Sequence, residues 1–326
     1  MAQGPQRPQD DLVRRGLKFS QLRLLAALRD TDQIGAAAAQ VGMTQPAASR
    51  LLAQLDTMAG TPLYSRHARG VTLTEAGHIL ADQATATLKG LDSAYRKVGQ
   101  IGSGVRGHVR VGSVTGPSME LLLPAMREAR LAYPDISVTV RVETSDRLAD
   151  ALLADDLDFY IGRVPDSADA RPFALHKIGA EPISLIVRLH HPLSRAPNPT
   201  LQDCLAFDWV MHPPPGGLLR RTAENFLLER GLPLPRRVIG TTSILFTLAL
   251  LHDTNAIAPL ARAVGDFFIQ RAALGSRLDI LPVAQDMAVA DFGIVSLASD
   301  PAGPAVATLR DLIVARAASI RPPAPS

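Results

Sequence analysis

The stretch from Gly35 to Asp56 constrains this chain more than any other. Two helical patterns meet in it at a break around Gly42 and Met43. The first, Ile34 to Gln40, is nearly all alanine, so its backbone can lie close against neighbours. The second opens at Thr44, a residue type suited to an N-cap. Pro46 falls in its first turn, where a missing N–H costs little. Ala48, Leu52 and Leu55 recur at spacings of four and three and define one buried face. Gln45, Ser49, Arg50 and Ala53 fall on another. This is the layout of a helix-turn-helix whose second helix lies in the DNA major groove. Alanine-rich helix pairs with a glycine turn are also ordinary packing units, so the flanks decide.

Upstream, Leu22, Leu25 and Leu28 give the apolar stripe of a helix that Ser20 can cap. Met1 to Gly16 is polar and of mixed charge, carries two prolines (Pro5 and Pro8) and reads as disordered. Downstream, Gly60 to Thr74 reads as a two-stranded wing with Arg66 and Arg69 at its turn. These arginines are either simply solvated or placed for phosphate or the minor groove; beside a helix-turn-helix the second reading is the better one. Thr74 caps a long helix running to about Gly99. Its Leu80, Ala84, Leu88, Leu91, Tyr95 and Val98 recur near heptad spacing. The stripe can be core of its own domain, but no neighbouring segment is long enough to cover it, which favours a second chain.

Gln100 to Gly107 is a hinge. It contains Gly102, Gly104 and Gly107 at dinucleotide-fingerprint spacing, but a helix precedes it and a strand follows. The fingerprint requires the reverse order, so nucleotide binding is not expected. From Val109 onward strands alternate with helices. The apolar runs Val109–Ser113, Ser137–Val142, Asp158–Gly162, Ile183–Val187, Trp209–Met211 and Phe292–Ser296 read as strands. This alternation predicts a mostly parallel sheet covered on both faces. Two such runs predict two α/β lobes, roughly 108–180 with 278–318, and 181–277. The whole division is then leader 1–16, winged helix-turn-helix 17–75, linker helix and hinge 76–107, and a bilobed domain 108–318.

Composition narrows the function classes. With 326 residues and 47% apolar content, the chain can bury sizeable cores. No apolar run reaches the roughly 18–20 residues of a membrane helix, and the N-terminus has no signal-peptide core. The chain reads as a cytoplasmic protein. Residues 1–107 carry a net charge of +5 and the remainder −2, which suits nucleic-acid contact by one end. Cys204 is the single cysteine, so no intrachain disulfide and no multi-cysteine metal site can form. No Gly-x-Ser-x-Gly elbow, phosphate loop or His-Glu-x-x-His occurs, and His190-His191 before Pro192 reads as a loop. An enzyme is not expected, nor a cofactor or a metal.

In this order, helix-turn-helix, wing, long helix and bilobed α/β region resemble a LysR-type transcriptional regulator along nearly the whole chain. The specific part is Thr44-Gln-Pro-Ala-Ala-Ser-Arg50 followed by Leu55-Asp56, Leu63-Tyr64-x-Arg66-x-x-Arg69-Gly70 and Leu73-Thr-x-Ala-Gly77. Gly162-Arg-Val-Pro165 and Asn255-Ala-Ile-Ala-Pro259 are similar to the galactose-binding-protein and protocatechuate regulator branch. Asp56 and Tyr64 depart mildly from the family's usual Glu and Phe. Leu51 replaces a usual polar residue, either reaching a thymine methyl or forming the rim of the core.

The resemblance implies a winged helix-turn-helix joined by a linker helix to a periplasmic-binding-protein-like effector domain. It also implies double-stranded DNA of dyad symmetry as partner, self-association as dimer or tetramer, and RNA polymerase as a further partner. Gln45 is expected at a base edge, with Thr44, Pro46, Ser49 and Arg50 setting the helix against the groove and Arg66 and Arg69 gripping from the wing. The effector site is expected at helix starts between the lobes, from Thr115, Gly116, Ser118, Thr144, Arg163, His212, Gly216 and Ser243. Hydroxyl-bearing helix starts with Arg163 suit a small anionic effector, a carboxylate or sulfonate. Two alternatives stand beside this: regulation without effector, and redox sensing through Cys204.

Overall fold

The computed structural model describes residues 11–67, 70–100, 106–166, 168–213, 217–270, 277–298 and 302–320. It divides into two compact units, Met1–Gly99 and Gln100–Ser326. The first unit opens with one helical turn, α1 (Asp11–Arg14), inside the segment expected to be a leader. Arg15 Nη1 donates to the Met58 carbonyl at 2.8 Å. Then come α2 (Phe19–Thr31), α3 (Ile34–Gln40), α4 (Gln45–Ala59), the antiparallel β1 (Tyr64–His67) and β2 (Gly70–Leu73), and α5 (Glu75–Gln100). The cap of α2 is Lys18, not Ser20, because buried Gln21 turns its Oε1 back to accept from the Lys18 N–H at 2.9 Å.

Leu24, Leu25, Leu28, Leu52, Leu55 and Leu63 are fully buried in this unit's core. Each contributes about 1.5–3 kcal/mol relative to an exposed leucine. Leu51 packs half-buried against the same cluster, so it forms the core's rim. The motif residues Asp56, Thr74 and Gly77 converge on the Pro62–Leu63 corner. Asp56 Oδ1 accepts from the Leu63 N–H at 3.0 Å. The Thr74 N–H donates to the Leu63 carbonyl at 2.9 Å. Thr74 Oγ1 donates to the Pro62 carbonyl at 2.8 Å and accepts from the Gly77 N–H at 3.0 Å, capping α5 as expected. A Cβ on Gly77 would stand 1.9 Å from the Leu63 carbonyl oxygen, so the helix can lie on the corner only with glycine there.

The second unit contains β3 (Gly107–Ser113), α6 (Thr115–Pro117), a π-helical turn (Ser118–Leu122), α7 (Leu123–Ala132), β4 (Ile136–Val142), α8 (Ser145–Leu153), β5 (Phe159–Gly162) and β6 (Phe173–Arg188). A 3₁₀ turn (Pro192–Arg195), α9 (Leu201–Cys204), β7 (Trp209–Met211), α10 (Leu218–Leu228), β8 (Val238–Gly240) and α11 (Ile244–Asp253) follow. The last elements are β9 (Ala258–Ala261), α12 (Arg262–Gln270), β10 (Leu278–Ile280), β11 (Ala288–Leu297) and α13 (Pro304–Ile320). The main sheet runs β10-β6-β11-β5-β3-β4, with β9 also paired to β6.

Only β3 with β4 and β5 pair parallel in that sheet; β5–β11, β11–β6, β6–β10 and β6–β9 are antiparallel. The expected mostly parallel sheet is therefore a mixed one. The difference lies in β6 and β11, whose apolar halves alone were legible. Phe173 to Gly179 is largely exposed and lacks an apolar run. Both strands cross from one core to the other. Phe292 and Ile294 pack with Val109, Phe159 and Leu309. Ile183, Leu185, Val187 and Val289 pack with Trp209, Cys204 and Leu227. Residue 180, the expected limit of the first lobe, lies inside β6, and α12 was not foreseen.

Among the described residues, no helix is long and apolar enough to cross a membrane, and no cluster of His, Cys, Asp and Glu has metal-binding geometry. His191 is fully buried. Its Nδ1 accepts from the Leu193 N–H at 3.2 Å, Nε2 meets the Asn255 carbonyl at 3.1 Å, and its ring lies 4.6 Å from that of Phe207. An acceptor Nδ1 and a carbonyl partner at Nε2 fit the neutral imidazole with its proton on Nε2.

Gly77→Ala should cost about 2–3 kcal/mol or more by overpacking, read as a lower melting temperature together with weakened DNA binding. Burial holds the His191 pKa below its ordinary 6.5, helped by Arg188 and opposed by the Asn255 bond and Asp279. The unfolded chain therefore binds the extra proton first. The stability that neutral His191 contributes is complete above pH 6.5 and is lost as pH falls from there through the folded value. His191→Gln should lower the melting temperature at pH 7.5 yet flatten its decline toward pH 5.5.

Candidate DNA interface and effector cleft

Helix α4 divides along its length. Ala48, Leu52 and Leu55 are buried, whereas Thr44, Gln45, Pro46 and Arg50 are exposed and Ser49 is half-buried. Thr44 has the extended backbone of an N-cap (φ −78°, ψ 149°), but its side chain makes no capping bond. The hydroxyl expected to cap is thus left on the exposed end of the helix. Arg50 lies along the helix with Nε 3.4 Å from the Pro46 carbonyl, a long contact that leaves the guanidinium at the surface. A Cβ on Gly35 would lie 3.6 Å from Gln45 Oε1, so the first turns of α3 and α4 meet at this amide.

On the wing, Arg66 is exposed, its guanidinium carbon 5.9 Å from the centre of the Tyr64 ring. Arg69 lies outside the described residues. His67, which the sequence reading passed over, sits beside this turn with Nε2 2.8 Å from Thr72 Oγ1. Val71 N–H donates to the Asp32 carbonyl at 3.0 Å, fixing the wing to the α2–α3 turn. The exposed residues of α4 and of the wing thus include an amide, hydroxyls and arginines beside a helix N-terminus.

In the second unit the expected effector residues form two groups. Thr115, Thr144 and Arg163 follow the carboxyl ends of β3, β4 and β5, which are adjacent strands paired Ser113 to Val142 and Ser113 to Ile161. Such strand ends in a parallel sheet are where ligands commonly settle. Ser145 Oγ accepts from the Arg163 N–H at 3.1 Å, drawing the start of α8 to the end of β5. His212 and Ser243 follow β7 and β8, a parallel pair ending Met211 opposite Gly240. The Thr241 N–H donates to the Met211 carbonyl at 3.0 Å. Gly216 lies outside the described residues.

Several of these residues are already engaged. Ser118 Oγ donates to the Thr115 carbonyl at 2.6 Å, within a buried turn. Ser243 Oγ accepts from the Phe246 N–H at 3.2 Å as the cap of α11. The His212 carbonyl accepts from Arg220 Nη1 at 2.8 Å. Gly116 is buried against Glu181 and Ala261.

Arg163 departs most from expectation. Its Nη2 lies 3.0 Å from Glu181 Oε2, its Nε donates to the Ala290 carbonyl at 2.7 Å, and its guanidinium carbon is 5.8 Å from the Phe292 ring centre. Both charged side chains are 11% exposed. Its charge is met by the protein, so it is not an open guanidinium awaiting an anion. Glu181 was missed in the sequence; the one signal is a carboxylate two residues before the apolar run Ile183–Val187. Cys204 is fully buried, and burial, with the nearby Asp203 charge, pushes its thiol up to about 12. A thiol so protonated and enclosed is inert, which removes the basis for a redox sensor.

Comparison with known proteins agrees with this two-part organisation. Residues 19–78 match the bacterial regulatory helix-turn-helix protein, lysR family, and residues 102–318 match the LysR substrate binding domain. The HTH-type transcriptional regulator GbpR of Rhizobium radiobacter is 46% identical over 251 residues, 76% of this chain and 83% of that one. GbpR of Azospirillum brasilense is 34% identical over 313 residues, 96% of this chain and 90% of that one. Full-length CbnR complexed with its target DNA shares the fold, with a TM-score of 0.67 at 19% identity over 92% of this chain and 100% of that one. The chain belongs to the LysR family of transcriptional regulators. It is a DNA-binding regulator with a domain for small-molecule effectors, and not an enzyme.

Proposed function

We propose that this regulator reads a dyad-symmetric operator through one α4 helix from each of two subunits, and that a small anion between the lobes of its second unit sets promoter output. The observation that carries the first part is the α4 face itself. Gln45 and Arg50 stand exposed on a helix whose opposite face anchors the core. Gln45 pairs with a base edge, preferentially adenine. Thr44, Pro46, Ser49 and Arg50 fit the helix to the groove, and Arg66 and Arg69 take phosphates or the minor groove.

A second subunit is supported by α5. Ala81 and Ala84 of its first turns are buried and Leu80 packs on its own domain, but Ile79, Leu91 and Tyr95 are 67%, 53% and 80% exposed. A second copy of the helix covers them, giving a dimer and, by pairing of dimers, a tetramer. RNA polymerase is the downstream partner. For the effector, the N–H groups and hydroxyls at the starts of α6 and α8 supply the donors, rather than an unpaired arginine. A carboxylate or sulfonate suits them. Such a ligand acts only if it prefers one lobe arrangement; a tenfold preference corresponds to about 1.4 kcal/mol.

Gel-shift titration against the DNA upstream of the regulator's own gene tests the operator part. Gln45→Ala should cost about 1–3 kcal/mol at one base position and relax discrimination there. Arg50→Ala should lower operator affinity at least tenfold. Arg69→Ala should weaken binding to all sequences alike and reduce the salt slope by about one. Unchanged affinity in all three variants overturns the assignment. Calorimetry with a panel of small carboxylates and sulfonates tests the effector part, with binding expected for the parent and lost in Thr115→Val. No heat across the panel would leave the effector-independent reading.

A further inference from the structure

We infer that Gly116, expected from sequence to contact the effector, is instead the pivot on which the two lobes rest, and that Arg163 and Glu181 fasten the lobes at that pivot. The inference deepens the effector-controlled reading above and rests on it for its consequence, though not for its geometry. Gly116 stands in α6, at the carboxyl end of β3 in the first lobe. A Cβ placed on it would lie 2.6 Å from the Ala261 Cβ and 2.2 Å from Glu181 Oε1. Ala261 ends β9 in the second lobe and leads directly into α12, which packs on α6 and on the π-helical turn after it. No side chain fits between them, so a single hydrogen atom lets the lobes approach this closely.

Glu181 lies on β6, one of the two strands that cross between the cores, at the point where the crossing happens. Its carboxylate faces Gly116 on one side and holds Arg163, at the end of β5, on the other. Arg163 Nε in turn binds the Ala290 carbonyl of β11, the second crossing strand. One guanidinium thus ties the end of a first-lobe strand to both crossing strands, 11% exposed at either end of its ion pair. Around this point Glu120, Glu181, Pro182, Arg262 and Asp266 line a small cavity of about 50 Å³, large enough for a water or two.

The local helix is unusual in the same place. The turn Ser118–Leu122 is π-helical, with Ser118 Oγ bonded to the Thr115 carbonyl. A π turn accommodates one residue more than an α turn and often marks a site where position matters more than helix stability. Here it presents the first residues of the helix, Gly116 foremost, to Ala261 and Glu181. Packed surfaces of this kind hold discrete arrangements rather than yielding continuously. The contact therefore holds the resting arrangement, and a methyl group at residue 116 wedges it open without touching DNA.

Hydrogen–deuterium exchange on the full-length protein tests this without operator or effector. In G116A, exchange in 115–122 and 261–270 should rise at least threefold, with 109–113 and 183–187 unchanged. Ala261→Gly added to G116A should return both segments toward the parent rate, because of the two atoms that the new methyl meets it removes the one fixed to the backbone, and the Glu181 carboxylate can swing aside. E181Q, which releases Arg163 without adding volume, should accelerate the same segments and carries the test if G116A does not fold. Unchanged rates in both variants, or an equal rise across the whole unit, overturn the inference. In a DNA-bending assay on the DNA upstream of its own gene, G116A without added ligand should shift the bend while its half-saturation stays within twofold. An unaltered bend overturns the regulatory consequence. If the parent itself binds no DNA specifically, the operator reading fails, and the exchange data still decide the pivot.

Discussion

One backbone carbonyl, that of Leu63, sets the geometry of the reading head. It accepts from the Thr74 N–H, while the Leu63 N–H is held by Asp56 at the end of α4. Gly77 in the first turn of α5 lies directly on it, closer than any Cβ permits. Recognition helix, wing and linker helix therefore share one corner of main chain. These are directional contacts, and their net energies of about 1 kcal/mol each are modest. Their importance is positional. Because α4 and α5 are fastened to the same two residues, a change in the direction of α5 moves α4 with it rather than dissipating in a loop.

The second unit solves the opposite problem. Its lobes must stay one body while retaining a cleft, and two long strands, β6 and β11, accomplish this by contributing to both cores. At their crossing a charged pair is drawn nearly out of water. Such a pair is a weak source of stability, because desolvation offsets its Coulomb attraction, yet losing one partner costs about 3–5 kcal/mol. What it supplies is a requirement that β5, β6 and β11 meet in one register. This also changes the electrostatics of the cleft. The anion proposed above would meet at Arg163 a guanidinium already paired with Glu181, so in that proposal binding strength comes from main-chain N–H groups and hydroxyls.

The sequence disclosed this architecture unevenly, for identifiable reasons. The helix-turn-helix, wing and linker were legible because local signals coincide there: apolar spacing in α4, Thr74 as a cap, and motif glycines whose backbone setting admits nothing larger. The core strands β3, β5 and β7 were legible as short apolar runs. The crossing strands were legible only in part, because the first half of β6 and the Ala288–Asp291 start of β11 are largely exposed and carry no pattern distinguishable from loop. Glu181 was invisible for the same reason: pairing it with Arg163 depends on antiparallel registers set by residues far apart in the chain. Ser20 shows a smaller version of this limit, since buried Gln21, not the better-suited hydroxyl, closes the first turn of α2. Leu51 could be settled only by seeing its neighbours, which are core leucines.

The residues that remain inert sharpen the division of labour. Cys204 and His191 both look reactive as letters, and both are enclosed in the second lobe beneath Trp209 and Phe207. Burial keeps the thiol protonated and the imidazole neutral near pH 7, so neither titrates usefully in response to a signal. Ser118 and Ser243, two of the hydroxyls at helix starts, are consumed by the helices that they begin. Subtracting these leaves Thr115, Thr144 and Ser145, at the carboxyl ends of β3 and β4 and beside the Gly116 contact, as the donors for the effector proposed above. A ligand there needs no long path to act. If the pivot inferred above holds, its neighbours are the residues of that contact, and a preference of about 1.4 kcal/mol for one lobe arrangement is enough to shift their balance tenfold.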